Sequence, residues 1–155
     1  MPDLRLTNNQ SLSPEEGGIS SLDLGKGTLD AQLREVLARF SSITSAIVFG
    51  SVATGRQRAD SDLDIAVAAD HPLTVAEKIA ISQALAGKTG RPIDLIDLAT
   101  VTEPLLGQIV QHGRRLLGSD TEFGNLINRH LVEQADFMPL RARVLAQRRM
   151  AWIGK

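Results

Sequence analysis

The sequence predicts a small α/β or α+β domain in which helices flank a small sheet. Its apolar patterns alternate strand, helix, strand, helix, strand, and its 155 residues suit one domain with a substantial core. No internal repeat or low-complexity block interrupts that order. Hydrophobic residues make up 43%, charged residues 23%, and the formal net charge is -1, so no bulk charge draws the chain to nucleic acid. Direct nucleic-acid binding is not expected. The chain has no cysteine, which excludes disulfides and thiolate chemistry and suits a reducing compartment. No apolar run reaches membrane-spanning length, and Asp3, Asn8 and Asn9 stand where a signal peptide would need its apolar centre. The cytoplasm is the expected location, with no membrane partner.

Residues 1–27 are rich in Ser, Gly, Asn and Pro and read as a weakly ordered lead-in with a short turn at Ser13 to Glu16. Leu29, Leu33, Val36, Leu37 and Phe40 form one stripe at helical period, with Thr28 as the expected N-cap. Ile43 to Phe49 is a β-branched, apolar run ending at Gly50, which predicts a buried strand and a sharp turn into a short helix over 51–57. Leu63 to Ala69 is the second strand, stopped by Asp70-His71-Pro72. Thr74 and Glu77 have capping-box spacing and open a helix to about Ala86, closed by Gly87 and Gly90. Pro92 to Leu98 is the third strand.

Thr102 is the expected cap of a further helix ending at Gly113, and Arg114 to Leu117 suits an edge strand. Ser119 and Glu122 repeat the capping-box spacing, so a helix is expected from about Asp120 to Ala135, broken near Pro139 and resumed over Leu140 to Trp152. Residues 28–118 thus form the core, and 119–155 a helical extension of the same domain. From Arg129 to Lys155 there are six Arg or Lys against two Asp or Glu, so the tail is locally basic. Leu145, Met150 and Trp152 are expected to pack on the body. Arg141, Arg143, Arg148 and Arg149 read most simply as a solvated face.

The chemistry concentrates between Gly50 and Asp64. Asp62 and Asp64 stand two residues apart at a strand start, so their side chains leave on one face and repel unless a cation lies between them. An all-oxygen donor set suits Mg²⁺. A third acid on the next strand would complete a site for two ions and could accept the proton of an attacking hydroxyl. Asp94 and Asp97 are the candidates, on opposite faces and each among apolar neighbours, so the local pattern alone does not choose. Asp97 reads more readily as a turn or helix-edge acid. Gly50 and Ser51 form a tight turn whose backbone N–H groups and hydroxyl suit a phosphate, and Arg56 and Arg58 extend that donor-rich loop. A Gly-Ser pair alone is usually only a turn, and an Asp-x-Asp usually only a solvated strand start; their combination carries the reading. His71 and His112, at element ends, read as cap or dipole residues.

Gly50-Ser51, then Asp62-Leu63-Asp64, then Asp94-Leu95-Ile96-Asp97-Leu98 resembles the signature of the DNA polymerase beta nucleotidyltransferase superfamily, and the short chain looks like its minimal nucleotidyltransferase branch. The resemblance implies a palm-like fold with a small mixed sheet. It also implies transfer of a nucleoside monophosphate from a triphosphate to a hydroxyl, with Asp62, Asp64 and Asp94 binding two Mg²⁺ ions, Asp94 serving the acceptor, and Gly50 and Ser51 holding the triphosphate. Many minimal members are antitoxins that inactivate a helical HEPN-type ribonuclease toxin by attaching AMP from ATP to a tyrosine, which implies such a toxin as partner and substrate. The chain departs from the common pattern at Val52 and Thr54, where relatives often carry arginines. Phosphate contact then passes to Arg56 or Arg58, or activity falls. The alternatives are an antitoxin acting by contact alone and a nucleotidyltransferase that modifies an antibiotic.

Overall fold

A computed structural model describes residues 21–153 except Gln57 and Ala59, and side chains from residue 27 to 152 apart from those at 57, 59 and 137–139. The turn expected at Ser13 to Glu16 lies outside the described residues. The elements run α1 (Ser21–Leu37), β1 (Ile43–Phe49), α2 (Gly50–Ala53), β2 (Leu63–Ala69), α3 (Val75–Thr89), β3 (Ile93–Asp97), α4 (Leu105–His112), β4 (Arg114–Leu117) and α5 (Asp120–Ile153). The sheet order is β3-β2-β1-β4. β1 pairs antiparallel with β2 and β4, while β2 and β3 are parallel and joined across α3, so the sheet is mixed as expected.

The period of two along β1 explains why it lies at the centre. Ala46 and Val48 face a core completed by Leu33, Val36 and Leu37 of α1 and Ile81 and Leu85 of α3. Ile47 and Phe49 face the other way, against Leu98, Ile109 of α4, and Phe123 and Leu126 of α5. Apolar residues on both faces make β1 read as a continuous run rather than an alternation. The sheet therefore holds its shape between two helical layers, and its strand ends become fixed points.

Local signals account for several boundaries. Thr74 Oγ1 accepts from Glu77 N, and Glu77 returns a carboxylate to Thr74 N at 2.8 Å, the capping box read from sequence. Gly90 closes α3 in the left-handed region at φ 68°, which leaves Gly87 inside the helix. Ser119 and Glu122 form the second box. His71 lies between Asp70 and Glu77, at 2.5 Å and 2.7 Å, and these contacts, Glu77 first, raise its pKa.

Four expectations are corrected. α1 begins at Ser21, so Thr28 lies within the helix and does not cap it. α4 starts after Pro104, and Thr102 contributes its carbonyl to Leu106 N rather than a side-chain cap. α5 is one helix of 34 residues through Pro139. A proline removes one backbone donor, and helix-favouring neighbours such as Leu140, Arg141 and Ala142 carry the helix past that loss. Leu145, Met150 and Trp152 do not pack on the body but stand exposed.

Asp97 is only 3% exposed and structural. Its carboxylate accepts from Leu73 N and Ala99 N, both at 2.9 Å, and so ties the loop before α3 to the end of β3. Replacing it by alanine strands two backbone donors. Chemical denaturation of Asp97→Ala should show a loss of about 2–4 kcal/mol. A loss below about 0.5 kcal/mol would remove this role.

Candidate active site

The register of β2 against β3 brings Asp94, and not Asp97, beside Asp64. Asp64 lies opposite Asp94, whereas Asp97 lies opposite Val67 at the far end of the strand. On the other side Asp64 is paired with Phe49, the last residue of β1. Asp62 stands exposed just before β2, Asp64 is half-buried and Asp94 is exposed. The three carboxyl groups therefore gather where β1 ends and β2 and β3 begin.

Their mutual influence appears in the ionisation of Asp64. Its pKa is raised, first by burial, then by the Asp94 charge and a hydrogen bond with Asp94, then by the Asp62 charge. Each of these causes acts against a second negative charge at Asp64. A divalent cation would relieve that conflict, and carboxylate oxygens suit a hard ion such as Mg²⁺. The donor chemistry fits. Among the described residues no three acidic, histidine or cysteine side chains are already arranged as a metal-ion cage.

Gly50 lies directly against one of the acids, Asp64. Its φ is +71°, a left-handed conformation, and a Cβ there would lie 2.1 Å from Asp64 Oδ2. The turn thus requires glycine both for its backbone and for the carboxylate beside it. From Gly50 the chain enters α2, whose start no side chain caps. Ser51 is half-buried, whereas Val52 is fully buried in the core. The Thr54 hydroxyl donates to Ser51 O at 3.2 Å. Val52 is thus unavailable to a phosphate, while Thr54 is exposed. Gly55 turns again at φ 76°, and Arg56 and Arg58 stand exposed beyond it. Among the described residues neither guanidinium meets a carboxylate.

Nothing in the local sequence marks Glu103 and His130 as a pair, yet His130 Nδ1 meets Glu103 Oε1 in the interface of α4 and α5. A Cβ at Gly107 would lie 2.8 Å from His130 Cε1, so the small residue admits the ring. His112 is exposed in the last turn of α4.

Two predictions follow from this geometry. Gly50→Ala should lower the melting temperature and abolish nucleotide binding measured by calorimetry, and binding within about twofold of the parent would contradict the close approach. The raised pKa of Asp64 has a defined sign. The folded state holds its proton more tightly than the unfolded state, so stability falls as pH rises from the ordinary aspartate value of 3.8 through the raised folded value. In Asp94→Asn that decline should shrink when unfolding is followed against pH, because a main cause of the shift is gone.

Comparison with known proteins gives the family of the chain. The family model described as polymerase beta, nucleotidyltransferase matches residues 31–122, more than half of the chain. The chain is 35% identical over 75 residues to the protein adenylyltransferase MntA of Shewanella oneidensis, and the match covers 48% of this chain and 54% of that relative. The chain thus spans about half the length of the curated relative it matches. A chain in the crystal structure of a toxin-antitoxin with AMP-PNP superposes with a TM-score of 0.65 at 24% identity, covering 79% of this chain and 98% of the other. A structure of a tri-AMPylated Shewanella oneidensis HEPN toxin in complex with an MNT antitoxin gives a TM-score of 0.62 at 21% identity, covering 82% and 98%. At those identities the superpositions speak for the fold. Gly50, Asp64 and Asp94 meet inside the matched span, and the chain belongs to the polymerase beta nucleotidyltransferase family.

Proposed function

We propose that this protein transfers AMP from ATP to a tyrosine hydroxyl of a HEPN-type ribonuclease toxin and so acts as its antitoxin. The observation that carries the reading is the juxtaposition of Gly50, Asp64 and Asp94 at the strand ends, inside the family match. The relative that is itself a protein adenylyltransferase and the superposed toxin-antitoxin structures support the acceptor class. Among the described residues no helix is long and apolar enough to cross a membrane.

Asp62, Asp64 and Asp94 would hold the Mg²⁺, two ions in the full reading. When bound, Mg²⁺ supplies charge neutralisation for the triphosphate and acidifies an attacking hydroxyl. Gly50 lets the polyphosphate approach the backbone of α2, and Ser51 offers a hydroxyl donor. Arg56 or Arg58 reaches the outer phosphates from the exposed loop. The acceptor oxygen attacks the α-phosphorus, its proton passes to the Asp94 carboxylate, and the bond to the β-phosphate oxygen breaks with release of pyrophosphate. The buried Val52 leaves the phosphate grip to the backbone, Ser51 and these arginines.

Incubating the protein with ATP, Mg²⁺ and the toxin encoded beside it should add about 329 Da per group to the toxin by intact mass. Asp62→Ala and Asp64→Ala should each reduce that transfer at least ~100-fold, and full activity in both would remove the metal assignment. Removing Mg²⁺ by chelation should stop transfer. A second reading, neutralisation by contact alone, draws on the lack of a preformed three-acid cage among the described residues. It predicts that both variants still silence the toxin with no added mass.

A further inference from the structure

β3 is an edge strand that carries one of the site's acids. The sheet order β3-β2-β1-β4 leaves one side of β3 without a neighbouring strand. Pro92 O accepts from Leu63 N at 2.9 Å and Leu98 N donates to Val67 O at 2.8 Å, so the even-numbered residues of β3 turn their backbone groups toward β2. Ile93, Leu95 and Asp97 therefore turn theirs outward. Asp97 O accepts from Thr100 N and Val101 N, which closes the far end of the edge. The outward N–H and C=O groups of Ile93 and Leu95 meet no partner among the described residues.

Beside that edge runs an open groove between α3 and the start of α4, lined by Lys78, Leu95, Ile96, Thr102 and Leu105 among others. Leu95 and Ile96 are half-buried, so apolar surface lies next to the outward backbone groups. The acids at this groove are already engaged, Asp97 by Leu73 N and Ala99 N, and Glu103 by His130. Among the described residues that leaves Lys78, itself half-buried, as the charge in the groove without an internal partner. Alternating backbone donors and acceptors are satisfied by an extended chain, which presents the same alternation; a helix has already spent its own. The free ammonium calls for a carboxylate on that chain.

Asp94 lies between Ile93 and Leu95, so the groups that would hold such a chain bracket the acid to which the acceptor's proton passes in the proposed reaction. We propose that the free edge of β3 takes an extended segment of the acceptor protein as an added strand, with its tyrosine opposite Asp94 and an acidic residue one or three positions away against Lys78. The identity of that acceptor as a HEPN-type toxin rests on the function proposed above. Directly opposite residues on neighbouring strands share a face, so the tyrosine leaves on the side that holds Asp64 and Asp94, one strand spacing, about 4.8 Å, from Asp94. Residues one or three positions from it leave on the other face, where Leu95 packs on the core that includes Ile81 and Leu85 of α3 and where Lys78 stands. With two outward residues on β3 the added strand is short, which suits a substrate that must leave once modified.

Amide hydrogen exchange of the full chain, followed by NMR with and without the HEPN-type toxin and in the absence of ATP, tests this. On toxin binding the Ile93 and Leu95 amides should exchange at least ~tenfold more slowly, while those of Asp94 and Ile96, already turned toward β2, should change far less. Lys78→Glu should raise the KM for the toxin at least ~tenfold with kcat within about threefold and ATP binding unchanged, and Lys78→Arg should keep KM near that of the parent. If the Ile93 and Leu95 amides keep their rates in a complex that still gains AMP, the edge is wrong and the AMP-transfer reading stands. If the toxin neither binds nor gains AMP, both fall. Slowed exchange with an unchanged KM in Lys78→Glu would overturn the acidic residue. Slow exchange of the same two amides in the free protein, lost on dilution together with a dimer in sedimentation equilibrium, would overturn the toxin as occupant in favour of a second copy.

Discussion

The parallel register of β2 on β3 is the constraint on which the site depends. It sets Asp64 beside Asp94 across one strand spacing, about 4.8 Å, while Gly50 closes against Asp64 from the start of α2. Bringing carboxylates together at a half-buried position is unfavourable without a proton or a cation, and the raised pKa of Asp64 expresses that conflict. The arrangement stores an affinity for positive charge at one end of the sheet. A one-residue slip of β3 would turn Asp94 to the opposite face and dissolve it.

The rest of the fold holds that register in place. β1 is buried on both faces, with α1 and α3 on one side and α4 and the first half of α5 on the other, so the strands have little freedom to slide. Two buried polar side chains away from the site find partners. Asp97 accepts two backbone N–H groups, and His130 meets Glu103 between α4 and α5. Asp64, by contrast, faces other acids. Asp97 and Asp64 differ in their neighbours, backbone donors for the first and carboxylates for the second.

Much of this was legible in the chain. Both capping boxes name their own partners three residues apart, because the geometry of a first helical turn is local. The strands ending at Phe49 and starting at Leu63 are marked by β-branched residues and by Gly50. Pro139 misled because proline penalises one hydrogen bond, while helix continuity depends on the whole run. Trp152, Met150 and Leu145 misled for a related reason: apolar spacing reports what a helix can bury but not whether anything lies within reach.

By itself the sequence determined the parts of the site: the glycine turn, Asp62 and Asp64 two residues apart, and Asp94 and Asp97 as alternatives, since short spacings along a strand fix which side chains share a face. Only the tertiary structure decided between those alternatives, showed Gly50 in contact with the Asp64 carboxylate, placed Val52 in the core, and left the end of α5 bare. Those outcomes depend on strand register and on packing between residues distant in sequence, which no local periodicity encodes.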